Sequence, residues 1–197
     1  MPRIYDLTAG ARRTSELEEA GRALEFVYLS EIPVEWRRPL ASLPFLGKGR
    51  RGRFSNLLLR VQRGEKLAVF DYGYGRGSGR HAETVAALES PGLALPRFAL
   101  RPERTIERLL PILGRHDIDF ASFPAFSRRY YLRGDDEAAV RALFTSERLQ
   151  ALEEGEPCAL AGAGTRLIYF EPDHLIWPGA LDAFVKRAGA VFARFRG

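Results

Sequence analysis

Three runs of strand-type composition follow one another with no room for a helix between them: RFSNLLLRVQ, EKLAVFDYGY and RHAETVAALE, joined by RGE and by GRGSG. Aromatic and β-branched side chains suit a pleated backbone, and connections this short join only antiparallel neighbours. The stretch predicts an antiparallel meander, and any fold of the chain has to be built on it. The same stretch contains VFDYGYGRGSGRHAETVAAL, residues 69 to 88, with glycine at every second position from Gly73 to Gly79. A dinucleotide-binding loop needs the spacing G-x-G-x-x-G and a helix behind it, whose N-terminal amides hold the pyrophosphate. Here the third glycine falls at the wrong place, and Thr84 and Val85 favour a return strand. GKGRRGRF, from Gly47, has two glycines at the spacing of a phosphate-binding loop, but Arg53 and Phe54 stand where Lys and Ser or Thr are required. Ser78 in GSG does not fit G-x-S-x-G. The glycines therefore read as the flexible tip of a hairpin, with an anion-binding loop of Arg76, Ser78 and Arg80 as the alternative.

The rest of the chain supplies helices to cover that sheet. Ser15 and Glu18 have the spacing of a capping box, followed by Leu17, Ala20, Gly21 and Leu24 on one face, which predicts a first helix ending near Phe26. Residues Ile32 to Gly52 carry prolines and glycines without a sustained period and read as a long irregular segment. LPRFALRPE predicts an extended piece ending at Pro102, and Ile106, Leu109, Leu110 and Leu113 a helical face shortened by Pro111. AFSRRYYLRG reads as a strand closed by Gly134. DDEAAVRALF is a helix capped by Asp135 or Asp136, and SERLQALEEG starts again from Ser146. PCALAGAG and TRLIYFEP form a hairpin, and HLIWP a short extended piece. The last helix is amphipathic, with Leu181, Phe184, Val185, Ala188, Val191, Phe192 and Phe195 on its apolar face. Grouped strands followed by helices give an α+β class: an antiparallel sheet with helices packed on one face. At 197 residues and 46% hydrophobic content the chain suits a single domain, with a helix and a basic irregular segment over residues 1–53 and the sheet and helices over 54–197.

FDYGYGRGSG, LPRFALRPE and DIDFASFPAFSRRYYLRGDDEAAVRALFT together resemble a family of uncharacterised bacterial proteins of unknown function. In that family an F-D-Y-x-Y hairpin precedes a P-x-F-x-L-x-P-E step and an F-S-x-x-Y-x-L-x-G-x-D-E-x-A-V-R unit. The resemblance runs in order over roughly residues 50 to 195. It implies a fold and assigns no catalytic residue. Such proteins often carry N-terminal membrane helices before this domain. MPRIYDLTAGARR has no apolar core, and no apolar run approaches the ~18 residues that span a bilayer. Direct anchoring is therefore not expected, and the expected place is the cytoplasm, with room for a peripheral position at the inner membrane.

Candidate chemistry is sparse. The three histidines, His81, His116 and His174, sit in different elements, and none has a partner at the spacing of a helical metal site. HDID, with Asp117 and Asp119, and EPDH, with Asp173, set carboxylates beside an imidazole, but at places where turns gather such residues for backbone reasons. Cys158, in PCALAG, is the single cysteine and reads as a small buried hydrophobe. No cofactor motif and no metal-ligand pattern is present. Charge is the feature that exceeds background. Arg37, Arg38, Lys48, Arg50, Arg51, Arg53, Arg60 and Arg63 lie between Trp36 and Arg63 with no acid among them, in a chain of net charge +5 whose remainder is therefore acidic. Such segregation suits an anion-facing surface. The expected function is a non-catalytic binding or interaction module whose partner is an anionic membrane surface or another protein, with non-specific nucleic acid ranked lower. Trp36 or Phe45 would then dip into the interface. The alternative is a small hydrolase or ligand-processing enzyme with a cleft near His116 or His174.

Overall fold

The computed structural model describes residues 4–46, 52–75, 81–103 and 117–196, with side chains from residue 11 onward. Helix α1 (Ile4–Ala23) leads into strand β1 (Val27–Leu29) and helix α2 (Val34–Ser42). The meander follows as β2 (Arg53–Gln62), β3 (Glu65–Tyr74) and β4 (His81–Glu89), then β5 (Leu95–Pro102). After residue 117 come α3 (Pro124–Arg129), β6 (Tyr130–Gly134), α4 (Glu137–Leu143) and α5 (Ser146–Glu154). The hairpin β7 (Ala159–Gly164) and β8 (Arg166–Phe170), a 3-10 turn (Pro178–Ala180) and α6 (Leu181–Phe195) close the chain. The eight strands among the described residues belong to one antiparallel sheet in the order β1-β2-β3-β4-β8-β7-β5-β6. The fold class is the expected α+β.

The meander takes the expected register. Arg63 and Gly64 turn between β2 and β3 with φ of 51° and 79°, the two positive values that a two-residue hairpin turn needs to match the strand twist. β3 and β4 remain paired out to Tyr74 and His81, so the residues on both sides of the glycine-rich tip form a hairpin, without the following helix that a phosphate loop requires. Arg76, Ser78 and Arg80 themselves lie outside the described residues, as does the helical face expected at Ile106–Leu113.

Alternation along each strand makes the sheet apolar on both faces. Leu58, Val69, Ala86, Leu100, Leu160 and Tyr169 point to one side, where α6 supplies Phe184, Ala188, Phe192 and Phe195. Leu57, Phe70, Val85, Ala99, Ala159 and Phe170 point to the other, which is covered by Trp36 and Leu40 of α2 with Phe45 and Leu46. That second layer explains why Ile32–Gly52 is not irregular throughout. Trp36 and Leu40 are one turn apart, and their burial against the sheet sustains a helix despite Pro39 within it.

Two further boundaries differ from expectation. α1 begins well before Ser15, whose hydroxyl bonds back to the carbonyl of Ala11 inside the helix instead of capping its start. AFSRRYYLRG divides into α3 and β6, because Pro124 opens a helical turn before the aromatic pair enters the sheet. Gly134 closes β6 for a steric reason: a Cβ there would lie 2.4 Å from Val140 Cγ2 and 2.8 Å from the Arg97 carbonyl. Asp136 caps α4 through the amide of Ala139 at 3.0 Å.

Candidate functional site

The motif FDYGY serves the architecture. Phe70 and Tyr72 are buried on the second face, and Asp71 points to the first, where it meets helix α1. Arg13 donates through Nε and Nη2 to the two Asp71 oxygens, each at 2.8 Å, and through Nη1 to the carbonyl of Ile176 at 2.7 Å. Thr84 donates to Asp71 Oδ1 at 2.9 Å and accepts from the Ile176 amide at 3.1 Å. Asn56 completes the cluster. It occupies a bulge between Ser55 and Leu58 with φ of 53°, which turns its amide toward Asp71 Oδ2 at 2.9 Å. Its carbonyl oxygen in turn accepts from Thr14 and Tyr28. A carboxylate whose oxygens are filled this way orients the groups around it and is not free to act as a base.

A second buried charge sits on the opposite face. Arg101 and Glu83 are 2% and 0% exposed, with Nη2 and Oε2 3.7 Å apart. The guanidinium lies over the rings of Phe45 and Phe170 at 5.1 and 5.5 Å, so aromatic faces replace part of its lost hydration. Glu83 also accepts from the amide of Asp173 at 3.3 Å. The pair thereby ties the segment after β8 to the sheet.

The histidines separate. His81 Nδ1 lies 2.9 Å from Asp173 Oδ1, which also accepts from the Tyr74 hydroxyl at 3.0 Å. His174 Nδ1 lies 2.9 Å from Glu171 Oε2, and Arg187 donates to Glu171 Oε1 through Nε and Nη2 at 3.1 and 2.7 Å. Burial works to raise the Glu171 carboxyl, but the hydrogen bonds and charges of Arg187 and His174 outweigh it and hold the group below its ordinary range. His174, Glu171 and Arg187 line a cleft of about 470 Å³ with Glu156, Pro102, Pro157 and Pro172. The cleft expected near His174 is thus present, walled by prolines and salt-bridged side chains. His116 lies outside the described residues. Asp117 and Asp119 belong to the β6 edge of the sheet, where Asp117 accepts from the Leu132 amide at 2.8 Å, whereas Asp173 and His174 follow the central strand β8. Burial, with the nearby charges of Asp119 and Glu103, pushes the Asp117 carboxyl up to about 6. Among the described residues no cluster of His, Cys, Asp and Glu could hold a metal ion.

Cys158 is 2% exposed, and burial pushes its thiol up to about 12. Iodoacetamide at pH 8 should therefore leave the native protein unlabelled and modify Cys158 only on unfolding, read by intact mass. Rapid labelling without denaturant would show an accessible thiol.

The basic segment differs from the other charged surfaces. Elsewhere many cations are paired, Arg12 with Glu16, Arg166 with Glu89, Lys186 with Asp182 and Arg196 with Glu65, although Arg128 is exposed without an ion pair among the described residues. Arg37, Arg38, Arg53 and Arg63 are exposed and hold no ion pair among the described residues. Arg60 is partly buried, donating to the carbonyl of Leu24 at 3.1 Å over the ring of Phe26. Arg53 and Arg63 stand at opposite ends of β2, about 30 Å apart for a strand of that length. Lys48, Arg50 and Arg51 lie outside the described residues. Arg53 pairs with Gly73, so the chain enters β2 at the same end of the sheet as the glycine-rich tip. Trp36 and Phe45, expected at an interface, are instead core residues at 8% and 5% exposure, because α2 and the segment that follows it pack them onto the second face.

No protein-family model matches the chain. A search of curated proteins gives no match. The fold is similar to that of the crystal structure of the mycobacterial trehalose monomycolate transport factor A, TtfA, with a TM-score of 0.64 and 12% sequence identity, over 93% of this chain and 92% of that one. At that identity the likeness establishes the fold. Among the described residues no helix is long and apolar enough to cross a membrane.

Proposed function

We propose that the chain is a non-catalytic interaction module that engages an anionic membrane surface through its basic segment. The observation that carries this reading is the set of exposed arginines, Arg37, Arg38, Arg53 and Arg63, that hold no acid among the described residues, on a protein whose other surface cations are widely ion-paired. Unpaired cations keep their field available to a partner. The sequence adds Lys48, Arg50 and Arg51 immediately before Arg53. Near an anionic leaflet each basic side chain contributes about 1 kcal/mol, so four or five acting together hold a protein weakly and reversibly. Kinship with the bacterial family that often places membrane helices before this domain belongs to the same proposal. So does a cytoplasmic location, peripheral at the inner membrane. The structural neighbour is named a transport factor, which accords with a role in association.

Hydrolysis at the His174 cleft has weaker support. Both Glu171 oxygens are already engaged, and no hydroxyl or thiol side chain is among the described residues that line the cleft.

The test replaces Lys48, Arg50, Arg51 and Arg53 with Gln. Co-sedimentation with phosphatidylglycerol vesicles at low salt should be lost while the melting temperature stays within about 2 °C, the change expected where surface charges contribute little to stability. Wild type that pellets with neither vesicles nor duplex DNA at low salt would end the proposal. Preference for DNA over vesicles would replace the membrane with nucleic acid.

A further inference from the structure

The two tryptophans have opposite surroundings. Trp36 is buried, whereas Trp177 is 66% exposed and Leu175, two residues before it, 39% exposed. The chain between β8 and the 3-10 turn is a strap whose side chains alternate: Ile176 and Pro178 face the core while Leu175 and Trp177 face out. Its backbone is held at successive points. The Asp173 amide donates to Glu83, the Thr84 amide to the carbonyl of His174, the Ile176 amide to the Thr84 hydroxyl, and the Ala180 amide to the carbonyl of Trp177. Arg13 holds the Ile176 carbonyl from α1. The indole leans toward Gly179, where a Cβ would lie 3.3 Å from Trp177 Cδ1. An apolar pair exposed on a fixed backbone loses little entropy on binding.

The strap belongs to the end of the sheet where Arg53, without an ion pair among the described residues, begins β2. It is fastened to β4 at Glu83 and Thr84, two and three residues from His81, where β4 begins. Arg53 opposes Gly73, and Gly73 opposes Ala82, so Arg53 stands two strands across from that attachment, a lateral distance of about 10 Å. A cation at the same end of the sheet as the attachment of a strap with an outward indole suits the boundary of an anionic bilayer, where the ring lies at headgroup depth with its N–H in the polar layer. We infer that Leu175 and Trp177 are the apolar anchor by which this protein seats on an anionic membrane surface. The inference rests on the membrane reading of the basic segment and adds to it the residues that enter the bilayer.

Tryptophan emission reads this directly. In a Trp36→Phe variant Trp177 is the only indole, and on phosphatidylglycerol vesicles its emission should shift to the blue and be quenched by brominated acyl chains. Should that variant fail to fold, the same signal is taken as the difference between wild type and Trp177→Phe. A Leu175→Ser, Trp177→Ser double variant should melt like wild type and partition about tenfold more weakly, from the apolar area withheld from the bilayer. Vesicle binding with unshifted, unquenched Trp177 emission, or with undiminished partition of the double variant, would overturn the anchor and leave the basic-surface proposal standing. Absence of binding to any vesicle would end both.

Discussion

Asp71→Ala is expected to destabilise the protein by about 3–5 kcal/mol, the loss typical of removing one partner from a buried ion pair and stranding the other. The side chains of Asp71 and Arg13 are 9% and 20% exposed, so water reaches the guanidinium too poorly to replace the carboxylate. The damage would not stop at one contact. Asp71 receives hydrogen bonds from Arg13, Asn56 and Thr84, which come from α1, the β2 bulge and β4, and three donors would lose their acceptor together. Arg13 also holds the strap at Ile176, so α1 and the strap should loosen first. Urea denaturation measures the total, and limited proteolysis should show earlier cleavage in α1. Arg13→Met, which strands the carboxylate instead, should lose a comparable amount, and the double variant less than the sum, because the two act on one network. A loss below about 1 kcal/mol for Asp71→Ala would mean that the first face holds α1 without the network.

What could be read in the sequence was whatever local pattern decides. The meander, the β7–β8 hairpin and the face of α6 follow from alternation, short turns and helical spacing, and all three are present. The N-cap at Asp136 was legible because capping is settled within three residues. The first half of α1 was not, since IYDLTAGARR lacks a dense apolar stripe and its last residue, Arg13, finds Asp71 58 positions away. α2 was hidden by its prolines, and only the second apolar face of the sheet, itself a product of folding, gives Trp36 and Leu40 a reason to be helical. The same ignorance governs the two residues expected at an interface, Trp36 and Phe45, which prove to be buried. Trp36 sits among the arginines in sequence and is buried in space, whereas Trp177 lies far from them in sequence, on a strap fastened to β4 at the end of the sheet where Arg53 lies. Within the candidate site, the local density of charge was legible. The ion pairing of the other surface cations, which sets that density apart, was not.

Phe184→Ala should cost a further 3–5 kcal/mol, about a third or more of the stability of a domain this size. α6 is strongly amphipathic, and every residue of its buried stripe, Leu181, Phe184, Ala188, Phe192 and Phe195, is 4% exposed or less. Phe184 packs against Tyr169 of the central strand β8, with ring centroids 5.5 Å apart. The sheet under that contact is held from both sides, β4 and β7 pairing with β8, so the surrounding atoms have little freedom to collapse into the space a deleted ring leaves. Truncation should therefore lose both the transfer free energy of the ring and a cavity term, which places the site at the upper part of the range. Phe184→Leu keeps most of the volume and should recover more than half of the loss. Melting of Phe184→Ala within a few degrees of wild type would mean that α6 is not part of the core, and that its apolar stripe is a face for a partner.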